Sequence, residues 1–435
     1  MAQTAASEST ERSELVGRGA RDGARLFREW FQSLSGANER GERTAYVFVM
    51  GSMSELLRSF DLHVVFPEVN SIQTAVRKVA QDYLIAAEDY GYSPDICAYM
   101  RADVGVQLKG GDHPMARIPR PSLAVINTAC CGTHIKWGEF WERRYHIPVF
   151  PLDIPSTRVA GRLSVPGDED FEQDRRYVEH QIRELIGVCE RVSGKRFDID
   201  RLREVMGHAN EMAEHYRRAL ETNRARPAPF NALGEGSIFV GVANVLRGLP
   251  EGARYFRELV EELDYKAANG IGALADERHR LIFIGVPCFP IFRRFNDLFT
   301  DHHGIFTGST YLHFAGGGWN LGYQYNLARP VESLAEGVLL SVQHGMDSQL
   351  YSEGHILKMT ETLGADAVVY HATKSCRTVS AGMNESRKVV MERLGLPALY
   401  IESDQVDPRG VAEAQIRNRI DAFFEGLEIR KLRAA

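Results

Sequence analysis

The feature that most constrains this fold is an alternation of apolar runs and amphipathic segments that occurs twice, once in each half of the chain. The apolar runs lie at 45–51, 62–68, 122–131 and 146–155, and again at 280–288, within 304–318, at 367–376 and at 396–404. A strand, a helix and a further strand in succession are typical of a parallel sheet with helices on both faces. We therefore predict an α/β chain with two doubly wound, four-stranded parallel sheets that face each other across a cleft.

The regions outside the two alternating units have helical patterns. With 435 residues the chain is too long for one ordinary core. We predict four parts: a helical N-terminal arm over 1–44, a first α/β domain over 45–165, a helical connecting segment over 166–278, and a second α/β domain with a C-terminal helix over 279–435. Within them, residues 71–91 carry an apolar period near 3.6 and predict a single helix. The glycine-rich run 316–322 predicts a loop over the cleft.

The second part of each alternating unit has a similar pattern. AVINTACC precedes HIPVFPLDIP in the first unit, and AVVYHATKSC precedes LPALYIESD in the second. In both, a cysteine ends the third strand. Ligands of open α/β sheets bind beyond the carboxyl ends of the strands. If the two sheets face each other, Cys131 and Cys376 would meet across the cleft.

A third cysteine, Cys97, lies in the first turn of a predicted helix that begins near Pro94, where backbone N–H groups and the helix dipole lower a thiol pKa. The three cysteines are far apart in the chain, unlike the local pairs of structural zinc sites. Their spacing suits a site that is assembled between domains. Thiolates without nearby histidine pairs suit iron–sulfur chemistry as well as zinc, so the spacing leaves both metals open.

One other cysteine and one carboxylate are candidates for the same site, whereas a further cysteine is not. Cys189 lies inside an amphipathic helix and is predicted to be a core residue. Cys288 ends a strand that faces the cleft and could contact and orient the residues that bind the metal. A core position is its more ordinary interpretation. Glu68 ends the second strand on the side of the thiols and is our prediction for a proton donor. A solvated loop carboxylate is its more ordinary interpretation.

Charge, hydropathy and motifs exclude several functions. A net charge of −6 gives no reason to expect nucleic acid as a partner. No stretch approaches the roughly 20 apolar residues of a membrane helix, and the N-terminus has no apolar signal region. We therefore expect a cytoplasmic protein with no membrane partner. There is no G-x4-G-K-[ST] motif, so any ATP that drives the reaction would be bound by another chain.

Several segments together resemble a known family. They are FVMGSMSELLRSFDLHVVFPEVNSIQ, SPDICAYMRADVG, CCGTHIKW, KSCRTVSAG, YIESDQVDPRG and QIRNRIDAFFE, and they span roughly residues 45 to 425. The sequence resembles the B subunits of class I (ATP-dependent) benzoyl-CoA reductases, within the family that also contains the 2-hydroxyacyl-CoA dehydratases.

The resemblance implies a metal site and its ligands. Cys97, Cys131 and Cys376 match the three family cysteines that hold one [4Fe–4S] cluster in each subunit, at the cleft of two α/β domains; a larger double cluster is the alternative. Family members place a lysine five residues after the middle ligand, and Lys136 stands five after Cys131. This favours Cys131, with Cys130 as the alternative.

The resemblance also implies a reaction. It is the two-electron reduction of benzoyl-CoA, or a similar aromatic acyl-CoA, to a cyclohexadiene-carboxyl-CoA with electrons that derive from ferredoxin. The implied partners are a related C-type subunit and two ATPase subunits. Gly132 stands where dehydratase members often have Asp, which favours a reductase. The alternative is a component of a 2-hydroxyacyl-CoA dehydratase, in which a ketyl radical anion expels hydroxide without net redox change. A zinc-binding structural protein and an electron-transfer module are the interpretations from other classes.

Overall fold

The structure is a computed structural model that describes residues 15–129, 131–155, 164–314, 323–343 and 349–434. Cys130 and the glycine-rich run 316–322, for which we predicted an alternative ligand and a loop over the cleft, lie outside these residues.

Among the residues that the structure describes, eight strands form two separate parallel sheets. They are β1 (Thr44–Val47), β2 (His63–Val65), β3 (Leu123–Asn127), β4 (Val149–Leu152), β5 (His279–Gly285), β6 (Gly304–Ser309), β7 (Ala367–Thr373) and β8 (Ala398–Ser403). The first sheet has the order β2-β1-β3-β4 and the second the order β6-β5-β7-β8, with every neighbouring pair parallel. Each predicted run overlaps one strand, and the predicted α/β class with two four-stranded parallel sheets is confirmed.

Helices connect and cover the strands. In chain order the described α-helices are α1 (Arg18–Leu34), α2 (Ser54–Ser59), α3 (Pro67–Val76), α4 (Ala80–Asp89), α5 (Ala98–Leu108), α6 (Gly132–Tyr145), α7 (Glu169–Ser193), α8 (Ile199–Glu221), α9 (Gly234–Val245), α10 (Pro250–Ala268), α11 (Phe292–Thr300), α12 (Thr310–Phe314), α13 (Pro330–Val342), α14 (Gln349–Thr362), α15 (Arg377–Ser380), α16 (Met383–Leu394) and α17 (Glu413–Ala434). None of them combines the length and the apolar character that crossing a membrane requires.

The strand order creates an equivalent crevice in each sheet. The chain leaves β1 towards β2 on one side and later adds β3 on the other side, and β5, β6 and β7 repeat this arrangement. Open α/β sheets bind ligands at such a reversal, beyond the carboxyl ends of the two central strands. Cys131 follows β3 and Cys376 follows β7, so the fold places both cysteines at this position of their sheets.

The central strands are buried on both faces. All seven residues of β5 are buried. Leu281 and Phe283 pack into the large core, whereas Ile282 and Ile284 point to the other face and pack into a second cluster. Side chains that alternate between two apolar layers explain why this strand is a continuous apolar run in the sequence.

The N-terminal helix α1 packs closely on the connecting helices. The backbone N–H of Gly19 donates to Oε2 of Glu262 at 2.6 Å, and the hydroxyl of Tyr255 donates to the carbonyl of Gly19 at 3.0 Å. A Cβ atom at Gly23 would lie only 2.6 Å from the hydroxyl oxygen of Tyr255, so glycine permits this close approach. Helix α1 is therefore part of the molecule's core, while the four domain boundaries stay predictions.

The prediction of one helix over 71–91 is wrong, because the chain forms α3 and α4 with a break between them. Lys78 has a left-handed backbone with φ of 61°. Its N–H donates to the carbonyl of Ala75, and the N–H of Val79 donates to that of Thr74. These two bonds end α3 in a Schellman motif. A glycine usually takes the left-handed position; the lysine left no such signal in the sequence, and the apolar period continues through the break.

Candidate functional site

The three cysteines predicted as ligands share one local geometry. Cys97 is the N-cap residue of α5, Cys131 of α6 and Cys376 of α15. At Cys97 and Cys376, the backbone N–H groups two and three residues further on face the sulfur, although no capping hydrogen bond of normal geometry forms. These N–H groups partly offset the increase in thiol pKa that burial causes. Such N–H groups favour negative charge on a thiol.

The same three thiols line one cavity of about 360 Å³ to which both halves of the chain contribute. Burial raises the pKa of Cys97 far above its usual value, and the nearby thiol of Cys376 raises it further. Burial raises the pKa of Cys376 to about 11, with a smaller contribution from Cys131. Because the thiols influence one another's ionisation, they lie close together.

Cys97, Cys131 and Cys376 are the residues on this cavity that could hold a metal group as thiolates. Buried thiols with raised pKa values hold their protons, and a bound cation replaces those protons and compensates the negative charge. Among the described residues, no three His, Cys, Asp or Glu side chains converge on a single ion. One tetrahedral ion with bonds of roughly 2.3 Å would need sulfurs within about 4 Å of each other. The identity of the metal group and the ligand assignment therefore stay predictions.

Two cysteines lie away from this cavity. Cys189 is fully buried in α7 among core residues, as predicted. Cys288 is also fully buried and precedes a short 3-10 helix, Phe289–Ile291. The hydroxyl of Ser403 lies beside its sulfur and also contacts Nε2 of His371 at 2.6 Å. The ordinary interpretation of Cys288 as a core residue is therefore confirmed.

Glu68 belongs to the cavity wall. It is the second residue of α3, and only 13% of its side chain is exposed. The backbone N–H of Val49, which follows β1, donates to its Oε2 at 2.7 Å. Burial nevertheless raises the pKa of Glu68 to about 8, so this carboxyl carries a proton at neutral pH. The interpretation of Glu68 as a solvated loop carboxylate is wrong.

His134 packs next to this carboxyl. Its ring stacks on Phe48 with centroids 3.6 Å apart and an angle of 4° between the planes. Its Nε2 lies 3.9 Å from Oε1 of Glu68. Burial lowers the pKa of His134 to about 4, so the imidazole is neutral and polar at neutral pH.

Two phenols complete this polar group, and sequence reasoning missed both. Tyr99 and Tyr311 line the cavity, and burial raises the pKa of each far above its usual value; the charge of Glu68 acts in the same direction on both. Tyr99 stands two residues after Cys97, so the motif around that cysteine could have indicated it. Tyr311 follows β6 without any motif.

Lys136, which supported the choice of Cys131, points away from the thiols. Its side chain is 68% exposed, and its Nζ donates to Oε1 of Glu139 at 2.8 Å. It borders a separate surface groove that includes Tyr90 and Phe140.

Polar contacts fix the Cys97 turn to the second half of the molecule. The amide of Gln405 lies 3.9 Å from the sulfur of Cys97, and the backbone N–H of Ala98 donates to the hydroxyl of Ser375 at 3.2 Å. The sulfur of Cys97 is thus positioned partly by the loops that follow β7 and β8.

A buried ion-pair network strengthens this connection. Arg101 on α5 is 1% exposed and contacts Glu88 at 2.6 Å and Asp407 at 3.2 Å. Arg409 contacts the same two carboxylates, Asp407 at 2.7 Å and Glu88 at 3.0 Å. Since Glu88 and Arg101 belong to the first half and Asp407 and Arg409 to the second, the network joins the halves beside the cavity.

Comparison with known proteins identifies the family. Residues 51–427 match the model of the family "2-hydroxyglutaryl-CoA dehydratase, D-component". The match covers most of the sequence, and the chain belongs to this family.

Several characterised relatives align over most of their length. The chain is 29% identical over 418 residues to the B subunit of benzoyl-CoA reductase from Thauera aromatica, with 92% of each chain covered. It is 28% identical over 386 residues to the (R)-2-hydroxyisocaproyl-CoA dehydratase alpha subunit of Clostridioides difficile, covering 87% of this chain and 88% of the relative. It is 25% identical over 475 residues to the (R)-2-hydroxyglutaryl-CoA dehydratase alpha subunit of Acidaminococcus fermentans, covering 92% and 94%. The resemblance inferred from the motifs is confirmed.

Proposed function

We propose that this chain is the catalytic iron–sulfur subunit of an ATP-dependent aromatic acyl-CoA reductase. Cys97, Cys131 and Cys376 would hold a [4Fe–4S] cluster. The observation that carries the proposal is the meeting of three N-cap thiols and a protonated carboxyl, Glu68, on one largely apolar cavity. The similarity to the B subunit of benzoyl-CoA reductase supports an aromatic acyl-CoA, such as benzoyl-CoA, as substrate.

The cavity suits a reaction in which negative charge develops on the substrate. When bound, the cluster supplies single electrons of low potential. Apolar walls such as Val69, Ile72 and Val286 exclude water, which strengthens the interaction of fixed charges with the substrate. The N-termini of α5 and α6 begin at the cavity, and their partial positive charge stabilises an anionic acyl thioester.

Glu68 is the proposed proton donor. Because its pKa is about 8, it carries a proton at neutral pH, which an ordinary carboxyl does not. The phenols of Tyr99 and Tyr311 line the same cavity, and Nε2 of the neutral His134 imidazole lies 3.9 Å from its Oε1. After donating, the Glu68 carboxylate keeps the hydrogen bond from the Val49 N–H.

The proposed reaction needs partner chains. The relatives are named as B or alpha subunits of their enzymes, which supports an assembly with further subunits. We propose a related C-type subunit and two ATPase subunits that pass on electrons from ferredoxin. The sequence contains no P-loop motif, which agrees with ATP binding on a separate chain.

The proposal is tested by anaerobic purification with the co-produced partner subunits. We expect iron and sulfide in equal amounts, no stoichiometric zinc, and saturable binding of benzoyl-CoA. In the reconstituted complex, each turnover should consume two electrons and form a cyclohexadiene-carboxyl-CoA. Zinc without iron, or iron without any affinity for an acyl-CoA, would contradict the proposal.

A 2-hydroxyacyl-CoA dehydratase component is the second candidate. The family model and the similarity to two dehydratase alpha subunits favour it. Removal of water changes no oxidation state overall, so electrons would be needed only to start the reaction. Many turnovers of a 2-hydroxyacyl-CoA for each electron supplied would select this candidate over the reductase.

A further inference from the structure

The cavity is a groove that runs along the whole of α3. One face of this helix and its C-cap residue line it, through Glu68, Val69, Ile72, Gln73, Val76 and Arg77. These positions recur with the helical period and therefore form one stripe. At about 1.5 Å per residue, the stripe extends roughly 14 Å from its first residue to its last.

The chemistry of the groove changes along this length. At one end Glu68 is mostly buried beside the thiols, whereas Arg77 at the other end is exposed. Helix α1 adds Phe27 and the exposed Arg28, and the wall between the two ends is largely apolar. Among the described residues, neither Arg28 nor Arg77 forms an ion pair with a carboxylate, and Glu68 is the only acidic side chain that lines the groove. The groove is therefore lined by two exposed cationic side chains, Arg28 and Arg77, and by one mostly buried acid.

We propose that Arg28 and Arg77 bind the phosphate groups at the nucleotide end of an acyl-CoA thioester whose acyl group lies among the thiols. The choice of ligand rests on the proposed function, whereas the assignment of the two arginines rests on the groove. A guanidinium binds phosphate oxygens through two parallel N–H donors.

The length and the polarity of the groove match this ligand. An extended chain of about four residue lengths covers roughly 14 Å. The pantetheine arm, with two amides between its sulfur and its phosphate, is comparable in length. The carboxamide of Gln73 lies midway and can bind one of these amides, while the apolar walls contact the methylene groups.

The experiment compares two thioesters on the full chain, purified anaerobically with its co-produced partners. Benzoyl-CoA carries the phosphates, and S-benzoylpantetheine lacks the whole nucleotide. The variants are Arg28→Gln, Arg77→Gln and the double variant. Arg254→Gln, at an exposed position on α10 outside the groove, is the matched control. Kd values are measured by calorimetry, and thermal melting verifies that each variant folds.

Each single substitution should weaken benzoyl-CoA binding about tenfold, and the double substitution about a hundredfold, since a hydrogen bond to a charged group contributes this much. Affinity for S-benzoylpantetheine should change less than about twofold, and Arg254→Gln should bind both thioesters like the wild type. The double Lys variant, Arg28→Lys with Arg77→Lys, should recover part of the affinity because it keeps the charge.

Unchanged benzoyl-CoA binding in the double Gln variant would overturn the assignment and leave the proposed function intact. An equal loss for both thioesters would also overturn it, because the phosphates would then not be the group recognised. A wild type that binds ADP as tightly as benzoyl-CoA would show a nucleotide site without an acyl groove. A wild type that binds neither thioester would instead overturn the proposed function itself.

Discussion

The two halves of the molecule share a strand order but do not contribute equally to the cavity. In each half, a cysteine after the third strand is the N-cap of a helix. The first half then forms the 14-residue helix α6, whereas the second forms α15 with only four residues before a new helix starts after Gly382. The third thiol, Cys97, belongs to α5 in the β2–β3 connection of the first half. The repeated unit thus provides one thiol per sheet, and an added helix provides the third.

The halves also differ in how the cysteine-bearing turn is held. Under α6, the buried carboxylate of Asp103 accepts the indole N–H groups of Trp137 at 2.7 Å and Trp141 at 3.2 Å. In the second half the corresponding turn is held by loop contacts: Ser380 Oγ accepts the Thr373 N–H at 2.7 Å. The second half also has a buried carboxylate at this turn, because Asp404 accepts the Ser375 N–H at 3.2 Å. The halves therefore differ in the donors that reach the carboxylate, which are indole N–H groups in the first half and a backbone N–H in the second.

Removal of a thiol should have the largest effect, and it should be equally severe in either half. Cys97→Ala and Cys376→Ala are expected to lose most of the iron and to reduce activity to background, because each removes one of the proposed ligands. Iron analysis and the absorbance of the anaerobic protein measure this. Cys189→Ala, in the core of α7, is the control and should keep both iron and activity. Full iron content in either of the first two variants would show that the ligand assignment is wrong.

Glu68→Gln tests whether Glu68, which belongs to the first half, is the residue that donates the proton to the substrate. Loss of a positioned acid should lower kcat by roughly 10²–10⁴-fold while iron content stays unchanged. Because only the protonated carboxyl can donate, wild-type activity should fall as the pH rises through about 8, the pKa of Glu68. The variant should lack this decline. Glu392→Gln on the exposed face of α16 serves as control; a Glu68→Gln enzyme with wild-type kcat would exclude this role.

Arg101→Met should weaken the contact between the two halves and lower the free energy of unfolding. It removes the most buried member of the network while Arg409 keeps its contacts with Glu88 and Asp407, so the expected loss is roughly 1–3 kcal/mol of unfolding free energy. Denaturant unfolding measures the change. Arg18→Gln, at a half-exposed pair with Glu258, should cost no more than about 1 kcal/mol. Equal stability of the two variants would mean that the network does not hold the halves together.

Asp103→Asn should have the smallest effect and should be visible as a pH dependence. Burial raises the pKa of Asp103 from 3.8 to about 6. Between these values the folded state binds more protons than the unfolded state, so stability falls as the pH rises from about 4 to about 6, by at most about 3 kcal/mol. The variant should show a shallower slope in this range. An identical slope in wild type and variant would assign the pH dependence to other groups.

Sequence reasoning was most successful where the signal is periodic or local. Fully buried strands such as β5 and β7 are continuous apolar runs, and all eight strands were predicted. It was least successful where one residue changes the direction of the chain. The left-handed Lys78 divided a predicted helix into α3 and α4, and no residue preference indicated this break.

The amino-acid sequence by itself determined the two parallel sheets, the family, and the position of Cys131 and Cys376 after equivalent strands. The family resemblance implied that Cys97 joins them, and the tertiary structure places all three on one cavity. Only the tertiary structure decided that Glu68 is buried and protonated at neutral pH. The physical reason is that apolar periodicity depends on neighbours a few residues apart. Desolvation and the approach of thiols depend on how α3, α5 and the loops of the second half pack, which involves contacts between residues hundreds of positions apart.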